Sequence, residues 1–300
     1  MSASSLASRA IANLQSVMFS TPSAKTYSHA GALLLLLPAA LMLLTGFVYP
    51  LARLVALSMP DMSLELYIRI FRDPLYLNVL FSTTVVALAV MCCCLLLGFP
   101  VAYAMVRLKH PWTLILTGCV LIPLWTSVLV RSYAWIVLLQ RTGIINQALL
   151  STKLIDEPLR MIYTQGAVIV AMTHVLLPFM IMPIFAALRA IPPEYVQAAM
   201  NLGSTRLHAF RAIIVPLSLP GIFAGCVISF VLALGFYVTP ALVGGAGSLM
   251  VATLIGQQTT VLLDWPFAAA RSTSLLVVTL AVVIIFRRTL SLSKGLNSGI

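Results

Sequence analysis

Three hundred residues that are 61% hydrophobic and only 8% charged exclude an ordinary soluble domain, in which charged residues make up about a quarter. The net charge of +11 is spread between apolar runs rather than gathered in one patch, which reads as membrane topology and excludes a nucleic-acid surface. The five cysteines, three of them consecutive at Cys92, Cys93 and Cys94, suit neither a disulfide framework nor a metal site, because adjacent helix residues point in different directions.

Residues 1–28 are rich in Ser and Ala, carry Arg9 and Lys25 and contain no acid. They read as a cytoplasmic tail, with a faint likeness to a transit peptide as the alternative. The apolar run that starts at Gly31 is too long for a signal-peptide core. Six stretches meet the length of about 20 apolar residues needed to cross a bilayer, near 31–57, 79–106, 113–139, 165–188, 218–243 and 268–286. The fold class is therefore an all-α membrane protein with six transmembrane helices. An even number of spans places both termini on one side. Arg107 and Lys109, and Arg287 and Arg288, abut their spans on that side, where Glu194 is the only acid; the positive-inside rule then gives N-in, C-in.

The outer connections near 58–78, 140–164 and 244–267 hold the other six acids. The last contains LMVATLIGQQ, too short and too polar to span alone and suited to a surface or re-entrant helix. Pro38, Pro100, Pro123, Pro178, Pro183 and Pro240 fall inside apolar stretches, where kinks are tolerated. His174 is the only histidine inside a span, and the four histidines have no metal-ligand spacing. No GxxxxGK[ST] loop is present, so the chain does not bind ATP by that route. No cofactor is implied.

Between the fourth and fifth spans lies PPEYVQAAMNLGSTRLHAFRAIIVPLSLP, from Pro192 to Pro220. Two prolines suit a helix N-terminus, Glu194 suits its positive dipole end, and Gly203 falls where a left-handed cap would stop it. The polar residues Glu194, Gln197 and Asn201 share one face, and most other positions are apolar. Such a helix either packs on its own spans or docks on another protein.

A second stretch combines Trp125, Arg131, Tyr133 and Trp135 at the outer end of the third span. It reads either as an interfacial belt with a snorkelling arginine or as a pathway lining or docking surface.

The Pro192–Pro220 segment resembles the loop of inner-membrane permease subunits of binding-protein-dependent ABC importers. That pattern is Glu-Ala-Ala, three residues, Gly, nine residues, Ile, one residue, Leu-Pro; here it is met by Gln197-Ala198-Ala199, Gly203, Ile213 and Val215-Pro216. Gln197 replaces the glutamate and Val215 the leucine. The resemblance implies a type I importer permease fold whose loop at 190–220 forms a coupling helix for the ATPase, with Glu194, Gln197, Ala198, Ala199, Gly203, Ile213 and Pro216 as coupling residues. Glu194 could supply the charge that Gln197 lacks.

The third-span segment, Gly235–Gly245 and Asp264–Ala270 further resemble the spermidine/putrescine importer group, with the shared core at 75–286. Residues 29–74 are then a first span with its outer loop, and 287–300 a cytoplasmic tail. The family implies a bacterial inner membrane location, a second and usually different permease subunit, an ATPase dimer and an external solute-binding protein. ATP hydrolysis would belong to the separate ATPase chain, so the subunit is not itself an enzyme. Trp125, Arg131, Tyr133, Trp135, Tyr237, Thr239, Asp264 and Trp265 are the pathway candidates, since a polycation seeks carboxylates and aromatic faces. A secondary transporter would carry paired intramembrane charges or an inverted repeat, and neither is seen. A membrane-embedded enzyme would need clustered His, Asp, Glu or Cys, and a scaffold without transport would use the loop only for binding.

Overall fold

The computed structural model describes residues 29–297. The tail assigned to 1–28 and the last three residues of the tail assigned to 287–300 lie outside the described residues. Packing divides the chain into a unit ending at Arg53 and a unit beginning at Leu54. The first holds α1 (His29–Leu43), with Pro38 inside it, and a π turn (Leu44–Val48); α2 (Tyr49–Leu57) carries the junction.

The second unit continues with α3 (Glu65–Arg72), α4 (Pro74–Arg107), α5 (His110–Trp125), α6 (Val128–Leu139), α7 (Ile144–Ser151), α8 (Gln165–Arg189) and α9 (Pro193–Asn201). Then come α10 (Arg206–Ala209), a π turn (Phe210–Ile214), α11 (Val215–Leu234), α12 (Val238–Val243), α13 (Val251–Thr260) and α14 (Trp265–Asn297). All described elements are helical, as a hydrocarbon environment demands of a chain that must satisfy its own backbone bonds.

The core is the contact of α4, α8 and α11. On α4 the buried positions Val86, Val90, Cys94, Gly98 and Ala102 repeat every four residues, and on α8 so do Val168, Met172, Leu176, Met180, Ile184 and Leu188. Rows of this spacing form ridges that pack into a neighbour's grooves. Between helices in lipid the hydrophobic effect gives little, so close van der Waals contact must supply the attraction. Small residues permit it. A Cβ on Gly221 would lie 2.6 Å from the Pro183 carbonyl oxygen, and one on Gly225 would lie 3.0 Å from the Met180 oxygen.

Six stretches are long and apolar enough to cross a membrane, but two differ from the expected spans. The stretch 113–139 is not one helix. It stops at Trp125 and restarts at Val128, with Thr126 and Ser127 extended between. The Thr126 hydroxyl donates to the Pro123 carbonyl at 2.8 Å, an alternative to helical pairing that Ser and Thr offer the backbone.

The fifth span is helical from Arg206 to Leu234 rather than over 218–243. The charged residues that made 206–217 look like loop occupy one side, while Ala209, Ile214, Ser218, Gly221 and Gly225 are buried on the other. The helix ends at Gly235, and α12 is a separate short helix. Thus the second half of the interval 190–220 is span. At the chain's end, α14 runs on through residues 287–297.

Candidate functional site

The loop between α8 and α11 is defined at both ends by local chemistry. Pro193 opens α9, with Pro192 extended before it and Glu194 in the first turn. Gly203 closes it with φ +86°. The Ser204 N–H donates to the Ala199 carbonyl and the Gly203 N–H to the Met200 carbonyl, both at 3.0 Å. This pair of bonds is the Schellman stop, which glycine adopts without a Cβ penalty. The next helix starts two residues later, where the Thr205 hydroxyl accepts from the His208 N–H at 3.2 Å. A turn of four residues, 202–205, therefore separates a stop from a cap.

Around α9 the faces divide. Val196, Gln197 and Met200 border a cleft of about 860 Å³ that also touches the ends of α4 and α8 and the start of α10. Ala199, Gly203 and Ile213, three of the residues that carry the loop pattern, border a second hollow of about 590 Å³ on the other side. Glu194, Gln197 and Ala198 are exposed, as is Pro216 in the first turn of α11. Tyr195 is 54% and Leu202 90% exposed, an unusual state for large apolar side chains at a helix so short.

The second constellation gathers where the third span is broken. Arg131, one turn into α6, is buried, yet only its Nη2 finds a partner, the Thr126 carbonyl at 3.3 Å. Its Nε and Nη1 have none among the described residues. One turn on, the Trp135 Nε1–H donates to His174 Nδ1 at 3.4 Å, the two rings meeting edge to face at 6.0 Å. Ser132 and Thr239 share a hydroxyl hydrogen bond of 2.9 Å that ties α6 to α12. The Tyr237 ring lies against Gly256 of α13, in the space a side chain there would fill.

So the fold brings Arg131, Trp135, Tyr237 and Thr239 into one set of contacting helices. The other pathway candidates are placed differently. Trp125 ends α5 almost fully exposed, and Tyr133 and Trp265 are more than half exposed. The Asp264 carboxylate accepts the Phe267 N–H at 3.1 Å, capping α14. Ser132, His174 and Gly256 complete the contacts. His174 carried a signal, as the one histidine inside a span; Ser132 and Gly256 carried none, since their partners are remote in sequence.

Residues 94–291 match the family described as binding-protein-dependent transport system inner membrane component. The chain belongs to that family. The permease is 36% identical over 226 residues to the spermidine/putrescine transport system permease protein PotB of Escherichia coli K12, covering 75% of this chain and 82% of that one. It is 32% identical to PotB of Haemophilus influenzae over 75% of this chain and 79% of that one. The same identity links it to the inner membrane ABC transporter permease protein YdcU of Escherichia coli K12, over 70% and 71% of the two chains. Among solved structures, a chain of the bacterial alginate ABC transporter in complex with alginate pentasaccharide-bound periplasmic protein superposes with a TM-score of 0.68. That match has 17% identity and covers 84% of this permease and 91% of that chain. The protein is thus a multi-pass inner-membrane permease subunit of a type I ABC importer, a transport component rather than an enzyme.

Proposed function

We propose that this permease forms one side of the translocation pathway for a polyamine or a related small solute, with both termini in the cytoplasm and α9 seated on an ATPase subunit. A second permease subunit, usually a different chain, would complete the pathway, and an external binding protein would deliver the solute. The observation that carries the coupling role is α9 itself. Proline starts it and a left-handed Gly203 stops it, so its ends are fixed before any partner arrives, and it presents Tyr195 and Leu202 outward. The cargo reading rests on the polyamine permeases among its relatives and on the aromatic faces of Trp135 and Tyr237, which suit an organic cation. Nothing in the reading asks the permease to bind solute tightly, since capture would belong to the external protein.

The test is ATP-dependent uptake of radiolabelled spermidine and putrescine into proteoliposomes holding the whole importer. Gly203→Val forces a β-branched residue into the left-handed region, at a cost of at least about 1–2 kcal/mol. Uptake is expected to fall at least about tenfold while the complex still assembles, and Gly203→Asn, which tolerates that backbone, should keep most of it. Normal uptake by the valine variant would remove α9 from the coupling role. Uptake of another solute but no polyamine would overturn the cargo, and a complex that assembles yet moves no solute would leave a scaffold.

A further inference from the structure

We infer that the cleft of about 860 Å³ behind α9 holds the phosphate headgroup of an anionic phospholipid. Its lining brings Arg107, Arg189 and Arg206 together from three segments, with no acidic residue among the lining side chains. Arg107 is the last residue of α4 and Arg189 the last of α8, so both stand where a span leaves the hydrocarbon, at headgroup depth. Basic pockets between spans at that depth suit anionic headgroups.

The arginines are available for a ligand. The side chains of Arg189 and Arg206 make no hydrogen bond or ion pair among the described residues. Arg107 donates from Nε to the Tyr103 hydroxyl at 3.0 Å and lies over that ring at 5.3 Å. This fixes its guanidinium while leaving the two terminal nitrogens to fork onto a phosphate.

The remaining wall decides between sources. Ile191 and Val196 are apolar and only half-buried, and beside them Val106 is 36% exposed. A free phosphate would leave that wall uncovered, whereas the glycerol and upper acyl chain of a lipid would lie along it. A zwitterionic headgroup would bring its own cation toward three arginines, so phosphatidylglycerol fits and phosphatidylcholine does not. The lipid would tie the ends of α4 and α8 to α9 and α10. It would occupy the Val196, Gln197 and Met200 side of α9, away from Tyr195, so the inference does not rest on the cargo and shares only Gln197 with the proposed coupling residues.

The experiment is native mass spectrometry of the assembled importer after exchange into equal phosphatidylglycerol and phosphatidylcholine. The wild type is expected to retain phosphatidylglycerol selectively. Each Arg→Gln change should weaken retention roughly fivefold, and the triple Arg107→Gln, Arg189→Gln, Arg206→Gln on the order of a hundredfold. Met200→Trp keeps every charge but fills the cleft, and it should also release the lipid; it serves if the triple variant fails to assemble. Undiminished phosphatidylglycerol in the triple variant or in Met200→Trp overturns the site. Equal retention of phosphatidylcholine overturns the anionic selectivity, and displacement by inorganic phosphate would make the ligand a free anion and overturn the lipid.

Discussion

Among the described residues two arginines are buried inside membrane-spanning helices of this permease, Arg271 at 5% exposure and Arg131 at 9%, and the surrounding chain treats them differently. Arg271 on α14 meets the Asp73 carboxylate at 3.4 Å and the Gln258 side-chain oxygen at 3.3 Å, and lies over the Phe267 ring at 4.2 Å. Asp73 also caps α4 by accepting the Leu75 N–H at 3.0 Å. One side chain thereby fastens α4, α13 and α14. Among the described residues Arg131 has a single carbonyl and two nitrogens without a partner, against one, Nε, on Arg271, and it lies beside a helix that has already been interrupted. Burial is the same, but only the first charge is compensated within the chain. The α4–α13–α14 corner adds these polar contacts to an apolar cluster of Tyr76, Val79, Val251, Leu254 and Phe267; the α5–α6 break has the Thr126 hydroxyl on the Pro123 carbonyl and the one bond from Arg131 to the Thr126 carbonyl.

The contrast makes unequal predictions. Arg271→Ala removes the counterion of Asp73, the partner of Gln258 and the cover over Phe267. Breaking a buried pair from one side costs about 3–5 kcal/mol. Asp73 keeps 30% of its side chain exposed and can be rehydrated, which places the expected loss near the lower end, about 3 kcal/mol in thermal unfolding of the purified permease. A loss under about 1 kcal/mol would mean that the corner is held by apolar packing alone.

Ser132→Ala is the intermediate case. It leaves the fully buried Thr239 hydroxyl without its partner, an interaction between spans worth about 0.6–1.7 kcal/mol; the same unfolding measurement should show that loss. Arg131→Met is the smallest. No partner charge is orphaned, so stability is expected within about 1 kcal/mol of wild type or slightly above it, since apolar replacement of buried ions is often neutral or favourable. Uptake in the reconstituted importer should nevertheless fall if this residue belongs to the pathway. A variant as unstable as Arg271→Ala would reveal an unseen partner and erase the comparison.

How much of this could be read from the residues follows the range of the forces involved. The start and stop of α9 depend on Pro193 and Gly203, whose backbone preferences are intrinsic, and both ends fell where the residues placed them. Long apolar runs likewise located α4, α8 and α14, although α4 begins at Pro74, earlier than the run near 79. The break at Thr126 and Ser127 was hidden because two small polar residues do not interrupt an apolar average. Arg206 to Leu217 looks like loop in sequence because its charges outweigh a buried face that exists only once α4 and α8 are in place. The contacts of Ser132 with Thr239 and of Tyr237 with Gly256 join residues far apart in the chain, and no local pattern announces them.

The π turn at Phe210–Ile214 has a consequence for how the loop and the membrane core address each other. The residues on either side of it, Ala209 and Val215, have helical dihedrals, so the helix from Arg206 to Leu234 continues through it. A residue added to a regular helix would rotate everything beyond it by about 100°, the angular step at 3.6 residues per turn; the wider i→i+5 turn absorbs that residue and keeps the faces on either side in phase. The turn therefore uncouples length from phase: the interval from Gly203 to Ile213 holds one more residue while the same side of α11 still faces α8. Deleting Ala212 would restore regular winding and leave Ser218, Gly221 and Gly225 on the face that is now buried, whereas a further added residue that the turn could not absorb would swing them about 100° away from it.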